Sequence, residues 1–186
     1  SQWAELALRL RADFARRLQR GQSRSLIEWG QHYLVRHFQR QPSAMHHWLA
    51  DQFATMTATR GVKLNVIGPR GGAKSTLATL AYVLRAAVEG WEPYIWIVSD
   101  TQDQAHRHLD NLKQELTDNR LLAGDYPRAV GRGKPWGRGA IRLANGVSIE
   151  AYGTGQRLRG RRWHASNLRI MAAFAGVFAG KRGQPV

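Results

Sequence analysis

The chain is 186 residues long, carries 28 Lys and Arg against 13 Asp and Glu for a formal net charge of +15, and contains no Cys. That length suits one domain with a real core and is too short for two large ones, and the absence of Cys excludes disulfides and Cys-based zinc or iron–sulfur sites. A charge of this size bears on partners and not on fold, and it points to phosphate-rich ligands, nucleic acid before an anionic membrane.

The charge is unevenly placed. Residues 1–40 carry eight basic and three acidic side chains, 41–127 eight and nine, and 128–186 twelve and one, the single acid being Glu150. The middle reads as a nearly neutral globular segment and the last third as a strongly basic one. The longest nearly unbroken apolar stretch, Ile170 to Ala179, is about half of the ~20 residues that a membrane-spanning helix needs, so no span is expected. Residues 1–10 lack the pattern of a signal peptide, and the expected compartment is the cytoplasm.

In chain order, Trp3, Leu6, Leu10, Phe14 and Leu18 recur at spacings of three and four, which predicts an amphipathic helix over 3–18. A second helix is predicted over about 26–38, and a third, capped by Ser43, carries Met45, Trp48, Leu49 and Phe53. The first predicted strand, Val62 to Ile67, runs straight into Gly68-Pro69-Arg70-Gly71-Gly72-Ala73-Lys74-Ser75-Thr76, and Leu77, Leu80, Ala81, Leu84 and Val88 then give a helical stripe ending at Gly90. A strand over Tyr94 to Ser99 leads to Asp100 and Thr101, and Thr101 with Gln104 has capping-box spacing before a helix carrying Ala105, Leu109, Leu112 and Leu116. After Pro127 a loop dense in Gly and Arg is expected. Two apolar runs, 141–144 and 147–151, then flank Asn145-Gly146, a strong hairpin signal. Alternating strands and helices with one late hairpin predict an α/β fold with a mainly parallel sheet.

Binding a triphosphate takes converging backbone N–H groups, a helix N-terminus, a cation near the β and γ phosphates, and a hydroxyl for Mg²⁺. The segment 68–76 can supply each of these. Gly68, Gly71 and Gly72 permit close backbone approach, Lys74 is the cation and Ser75 the metal ligand, in the spacing G-x-x-x-x-G-K-[ST] with Ala73 in place of the second glycine. Because Ala tolerates positive φ poorly, Gly71 and Gly72 are expected to form the tight turn. Hydrolysis needs carboxylates as well, to hold the metal and polarise water. Asp100 is a candidate for the metal but also sits where a helix cap is wanted; Glu150 reads as a solvent-facing strand residue. Of the seven histidines, His106 and His108 lie two apart and do not share a helix face, so no metal pair is expected.

Residues 69–78 resemble the large subunit of tailed-phage terminases, the ATP-driven DNA-packaging motors. Phe38 to Trp48 resembles that family's helical lead-in, which ends in a His just before the ATPase strand. Ile95 to Ala105 resembles the segment after its first helix, and 145–162 resembles its N-G hairpin followed by G-T-G-Q-x-x-R-G-R-R. The resemblance covers roughly residues 30–163. It implies a P-loop NTPase-type fold with a mainly parallel sheet, ATP and Mg²⁺ as cofactors, and phosphate contacts from Gly68, Pro69, Arg70, Gly71, Gly72, Ala73, Lys74, Ser75 and Thr76. Arg70 would steady transition-state charge, and Arg159 would reach a neighbouring subunit's ATP site. The partners implied are double-stranded DNA and, in the complete protein, a homo-oligomeric ring, a small terminase subunit and a portal in the bacterial host cytoplasm; the basic run itself offers Arg157, Arg159, Arg161 and Arg162 as DNA-phosphate contacts, the alternative for Arg159 to the subunit-reaching role.

The expected organisation is a helical segment over 1–57, a partial ATPase domain over 58–163 and an atypical tail over 164–186. The family's apolar strand ending in two acids and its later nuclease domain have no counterpart here, and the acid-free tail reads as a truncation or frameshift, so ATP binding without turnover is expected. The residues alone also leave open a basic nucleic-acid-binding module, with Trp136, Tyr152 or Trp163 available to stack, and another P-loop enzyme such as a small kinase or helicase fragment, which Asp100 as a metal ligand would favour.

Overall fold

The computed structural model describes residues 24–58, 64–66 and 71–154, together with positions 2, 4, 5, 8, 9 and 12, which are helical. Most of the predicted first helix and the whole tail lie outside the described residues.

Helix α1 spans Leu26–Tyr33 and opens on a capping box, in which the Ser25 hydroxyl accepts the Glu28 N–H and the Glu28 carboxylate accepts the Ser25 N–H. It stops short of the predicted end because the chain folds back after Leu34: a side chain at Gly30 would come within 2.4 Å of the Phe38 ring, so that ring packs directly on the glycine backbone. Helix α2 spans Ala44–Ala58 and buries Leu49, Ala50 and Phe53.

The helix after the glycine-rich turn begins at Lys74, is a π-helix over Thr76–Tyr82, and continues as α3, Val83–Val88. The Thr79 hydroxyl donates to the Ser75 carbonyl at 2.6 Å, occupying the acceptor that an α-helix would give to the Thr79 N–H, and the helix widens there. The expected stop at Gly90 is a Schellman cap: Gly90 has φ 71, and the N–H groups of Gly90 and Trp91 return to the carbonyls of Ala87 and Ala86.

Strand β1, Tyr94–Ser99, has the predicted bounds and leads into α4, Gln102–Asp118, and then the short α5, Arg120–Asp125. Strands β2 (Arg132–Trp136), β3 (Ala140–Leu143) and β4 (Ser148–Gly153) complete a four-stranded sheet in the order β1-β4-β3-β2. The hairpin forms as predicted, with Gly146 at φ 90 between β3 and β4.

The sheet is mixed and mostly antiparallel, which corrects the expected mainly parallel, P-loop NTPase-type sheet. Only β1 and β4 run parallel, whereas β4–β3 and β3–β2 are antiparallel. Two departures produce the difference. The Gly- and Arg-rich segment expected to be a loop supplies the edge strand β2, where Pro135 is tolerated. Of the predicted strand over 62–67, the described residues Leu64 to Val66 form no ladder, and Leu64 and Val66 only pack against the core.

The core lies between one sheet face and the helices. Ile95, Ile97, Ile141, Leu143, Ile149 and Ala151 meet Leu109 and Leu112 of α4 and Leu77, Leu80 and Leu84 of the helix after the turn. A buried polar chain ties α1 to that helix: Arg85 donates to Glu89 and to the Arg24 carbonyl, Tyr126 donates to Glu89, and Trp29 donates to the Tyr126 hydroxyl. Burial outweighs the Arg85 guanidinium and holds the Glu89 carboxyl above its ordinary pKa. Among the described residues no helix is long and apolar enough to cross a membrane.

Candidate functional site

The glycine-rich turn is described from Gly71 onward; Gly68, Pro69 and Arg70 lie outside the described residues. Gly71 has φ 82 and Ala73 has φ 48. Ala73 is the one non-glycine residue with positive φ among the described residues, and it stands where the pattern G-x-x-x-x-G-K-[ST] has its second glycine. The expectation that Gly71 and Gly72 alone would carry the turn is therefore corrected: the backbone keeps the glycine shape at position 73 although a Cβ is present, at a cost of ~1–2 kcal/mol. Lys74 follows at the first helical position, half-buried, and Ser75 and Ala73 are exposed.

Two histidines contact this region from other elements. His46 of α2 lies with Nε2 2.9 Å from the Gly72 carbonyl oxygen, while its Nδ1 faces the Ser43 N–H at 3.0 Å and the Ser43 hydroxyl at 2.8 Å. His108 of α4 places Nδ1 3.3 Å from the Thr79 hydroxyl, which already donates to Ser75, so the ring is the donor and carries its proton on Nδ1. Among the described residues its buried Nε2 meets no hydrogen-bond partner, and burial lowers the His108 pKa. His106 turns instead to Gln102. The two rings have different neighbours, in keeping with their spacing, and among the described residues no group of three or more His, Asp and Glu assembles.

The two carboxylate candidates differ in placement. Asp100 is exposed, and the helix cap belongs instead to Thr101, whose hydroxyl accepts the Gln104 N–H. Glu150 is not the solvent-facing residue the sequence suggests. It is half-buried and accepts hydrogen bonds from the hydroxyls of Tyr94 and Tyr152. Because Ile149 and Ala151 face the core, strand alternation sends Glu150 to the other sheet face, away from the helix after the turn. Burial first, and the Glu150 carboxylate second, raise the Tyr94 pKa.

Of the G-T-G-Q segment, Gly153 and Thr154 are described. The Gly153 N–H donates to Gln102 Oε1 at 2.7 Å, Gln102 Nε2 donates to the Ala151 carbonyl, and the Thr154 hydroxyl donates to the Asp100 carbonyl at 3.0 Å. A Cβ on Gly153 would lie 2.6 Å from the Gln102 backbone nitrogen, so the strand end and the start of α4 touch backbone to backbone. Gln102 and His46 fall inside the segments 95–105 and 38–48 that carry the resemblance, but nothing in the sequence indicates their contacts, since the partners are backbone atoms far along the chain.

Arg157, Arg159, Arg161 and Arg162 lie outside the described residues. Within them, Arg128, Arg132, Lys134, Arg138 and Arg142 are exposed around β2 and β3, no acid occurs between Asp125 and Glu150, and Arg132 sits 5.7 Å from the centre of the Trp136 ring. Comparison with known protein families, with curated proteins and with solved structures finds no match.

Proposed function

We propose that this chain is a nucleotide-binding part of a phage DNA-packaging terminase large subunit, and that the turn around Gly71 to Thr76 takes the phosphates of ATP with Mg²⁺. The observation that supports it most is Ala73 at φ 48. Strain held at a residue that no packing requires is a recurrent property of ligand-binding turns, and here it occupies the position that the phosphate-binding pattern reserves for glycine. Lys74 would meet the β and γ phosphates with its ammonium group, the N–H groups of the first helical turn would add donors, and the exposed Ser75 hydroxyl would ligate the metal. Bound Mg²⁺ would neutralise phosphate charge. Arg70 and Arg159 keep the roles that the resemblance gives them, as do the ring, the small subunit and the portal in the complete protein.

Turnover is expected near background. Glu150 is held by two tyrosines on the opposite sheet face, which leaves the exposed Asp100 as the one remaining carboxylate candidate for the metal and none to align water. Loss of general-base help alone is worth ~10²–10⁴ in rate.

Calorimetric titration of MgATP into wild type and Lys74→Ala tests the assignment. Binding to the wild type that weakens more than about tenfold in the variant is expected; equal affinities would remove the turn from consideration. A second reading, a basic nucleic-acid-binding module, is favoured by the exposed basic side chains of β2 and β3. It predicts duplex binding that Lys74→Ala leaves unchanged.

A further inference from the structure

His46 occupies a position with two separate demands. Ser43 immediately precedes α2 and its carbonyl accepts the His46 and His47 N–H groups, which puts it at the N-cap position and His46 at N3, the place from which a Glu or Gln side chain normally reaches back to the N-cap N–H. The imidazole makes that contact through Nδ1, 3.0 Å from the Ser43 nitrogen. A backbone N–H only donates, so Nδ1 presents its lone pair to it, and the Ser43 hydroxyl 2.8 Å from the same nitrogen, which can donate or accept, then acts as a second donor. On the far side of the ring, Nε2 lies 2.9 Å from the Gly72 carbonyl, which only accepts. One species meets both demands, the neutral imidazole with its proton on Nε2. The cap calls for an acceptor and the turn for a donor on the opposite side, and histidine supplies both.

We infer that His46 is a positioning residue for the phosphate-binding turn, holding the Gly72 carbonyl so that the next N–H stays in the ligand-binding orientation; the inference rests on the nucleotide reading proposed above. The peptide unit is planar and trans, so its C=O and N–H point in opposite directions. Anchoring the Gly72 oxygen on α2 therefore aims the Ala73 N–H away from α2. The same anchor keeps Ala73 at φ 48. Rotation of the 72–73 peptide plane is the change that would relieve the alanine, and it would also withdraw that N–H. His46 thus opposes a rearrangement that the alanine favours. A glycine at position 73 would have no such preference and less need of the anchor.

The test is a double-mutant cycle on MgATP affinity using His46→Asn and Ala73→Gly, separately and together. Asn keeps an acceptor near the Nδ1 position for the α2 cap but does not reach Gly72, so a weaker affinity in this variant is not fraying of α2. His46→Asn is expected to weaken MgATP binding about tenfold in the wild-type background, the size of one well-placed hydrogen bond, and less than about threefold in the Ala73→Gly background. Equal effects in the two backgrounds, or no effect in either, would overturn the positioning role.

A ligand-free measurement keeps this outcome separate from failure of the nucleotide reading. Long-range ¹H–¹⁵N spectra of the wild type should show the His46 proton on Nε2, and His46→Asn should shift the amide resonances of Ala73 and Lys74. A proton on Nδ1, or unmoved turn resonances, would overturn the inference even if MgATP binds. If MgATP fails to bind while both spectral results appear, the anchor stands as a structural contact and its positioning role falls with the nucleotide reading.

Discussion

At the scale of single residues, two side chains carry measurable strain or desolvation next to the candidate site. Ala73 adopts φ 48 and is exposed, so nothing in the packing demands an alanine there. Replacing it by glycine removes ~1–2 kcal/mol of steric cost and adds back ~0.5–1 kcal/mol of chain entropy. Ala73→Gly should therefore stabilise the fold by up to about 1 kcal/mol and raise the midpoint of thermal unfolding by a few degrees; a lower midpoint would mean that the turn does not hold the alanine in this conformation. His108 works through charge. Burial lowers its folded-state pKa below the ordinary value of 6.5, so the unfolded chain takes up the proton first. Its contribution to stability is complete above pH 6.5 and is lost as the pH falls toward the lowered folded-state value. In His108→Gln the decline of stability below pH 6.5 should be shallower than in the wild type, as read from denaturant unfolding at pH 7.5, 6.5 and 5.5. Parallel declines would show that His108 does not titrate in this buried environment.

At the scale of elements, the end of β4 and the start of α4 meet backbone to backbone. A methyl group on Gly153 would meet the Gln102 backbone nitrogen at 2.6 Å and its Cα at 3.1 Å, and backbone cannot swing aside as a side-chain tip can. Gly153→Ala should cost ~1–3 kcal/mol through overpacking, with loss of the Gln102 clamp, whereas Gly124→Ala, where a new Cβ meets nothing within 4 Å, should not destabilise. Chemical denaturation of both variants compares them, and equal effects would argue against the joint. The same joint shows what a sequence makes legible. β1 could be read because an apolar run ends at a polar cap, and the β3–β4 hairpin because Asn-Gly marks its turn. The edge strand β2 could not, because Arg132 to Trp136 has the composition of a loop and becomes a strand only by lying beside β3. In the candidate site, Lys74 and Ser75 were legible from spacing. Gln102 and His46 act on backbone atoms 51 and 26 residues away, and no local pattern encodes such a contact.

At the scale of the whole molecule, the basic bias that begins after Pro127 reaches the described residues through five exposed side chains, Arg128, Arg132, Lys134, Arg138 and Arg142. Among the described residues it appears on the two-stranded ribbon β2–β3: Arg132 and Lys134 on the edge strand and Arg142 on its neighbour are exposed, with Arg132, opposite the buried Leu143, and Arg142 on opposite faces of the ribbon, while Arg138 beside them pairs with Asp103 at 3.2 Å. Basic residues on an edge strand also discourage pairing with other chains, and that role alone would give no dependence of DNA affinity on these side chains. Contact with duplex phosphates makes a different demand. Each phosphate neutralised releases condensed counterions, so the logarithm of affinity should fall linearly with the logarithm of salt concentration, with a slope of about −0.9 per phosphate. If the ribbon grips DNA, the triple variant Arg132→Ala, Lys134→Ala, Arg142→Ala should bind sequence-independent duplex more weakly and flatten that slope by up to about 3, since each phosphate left unneutralised removes about 0.9. It should leave MgATP affinity unchanged, because the three side chains lie on β2 and β3 and the nucleotide is assigned to the turn before the π-helix. Fluorescence anisotropy across a salt series separates the cases: an unchanged slope confines the ribbon to protecting the sheet edge and moves the DNA interface to other basic residues of the chain.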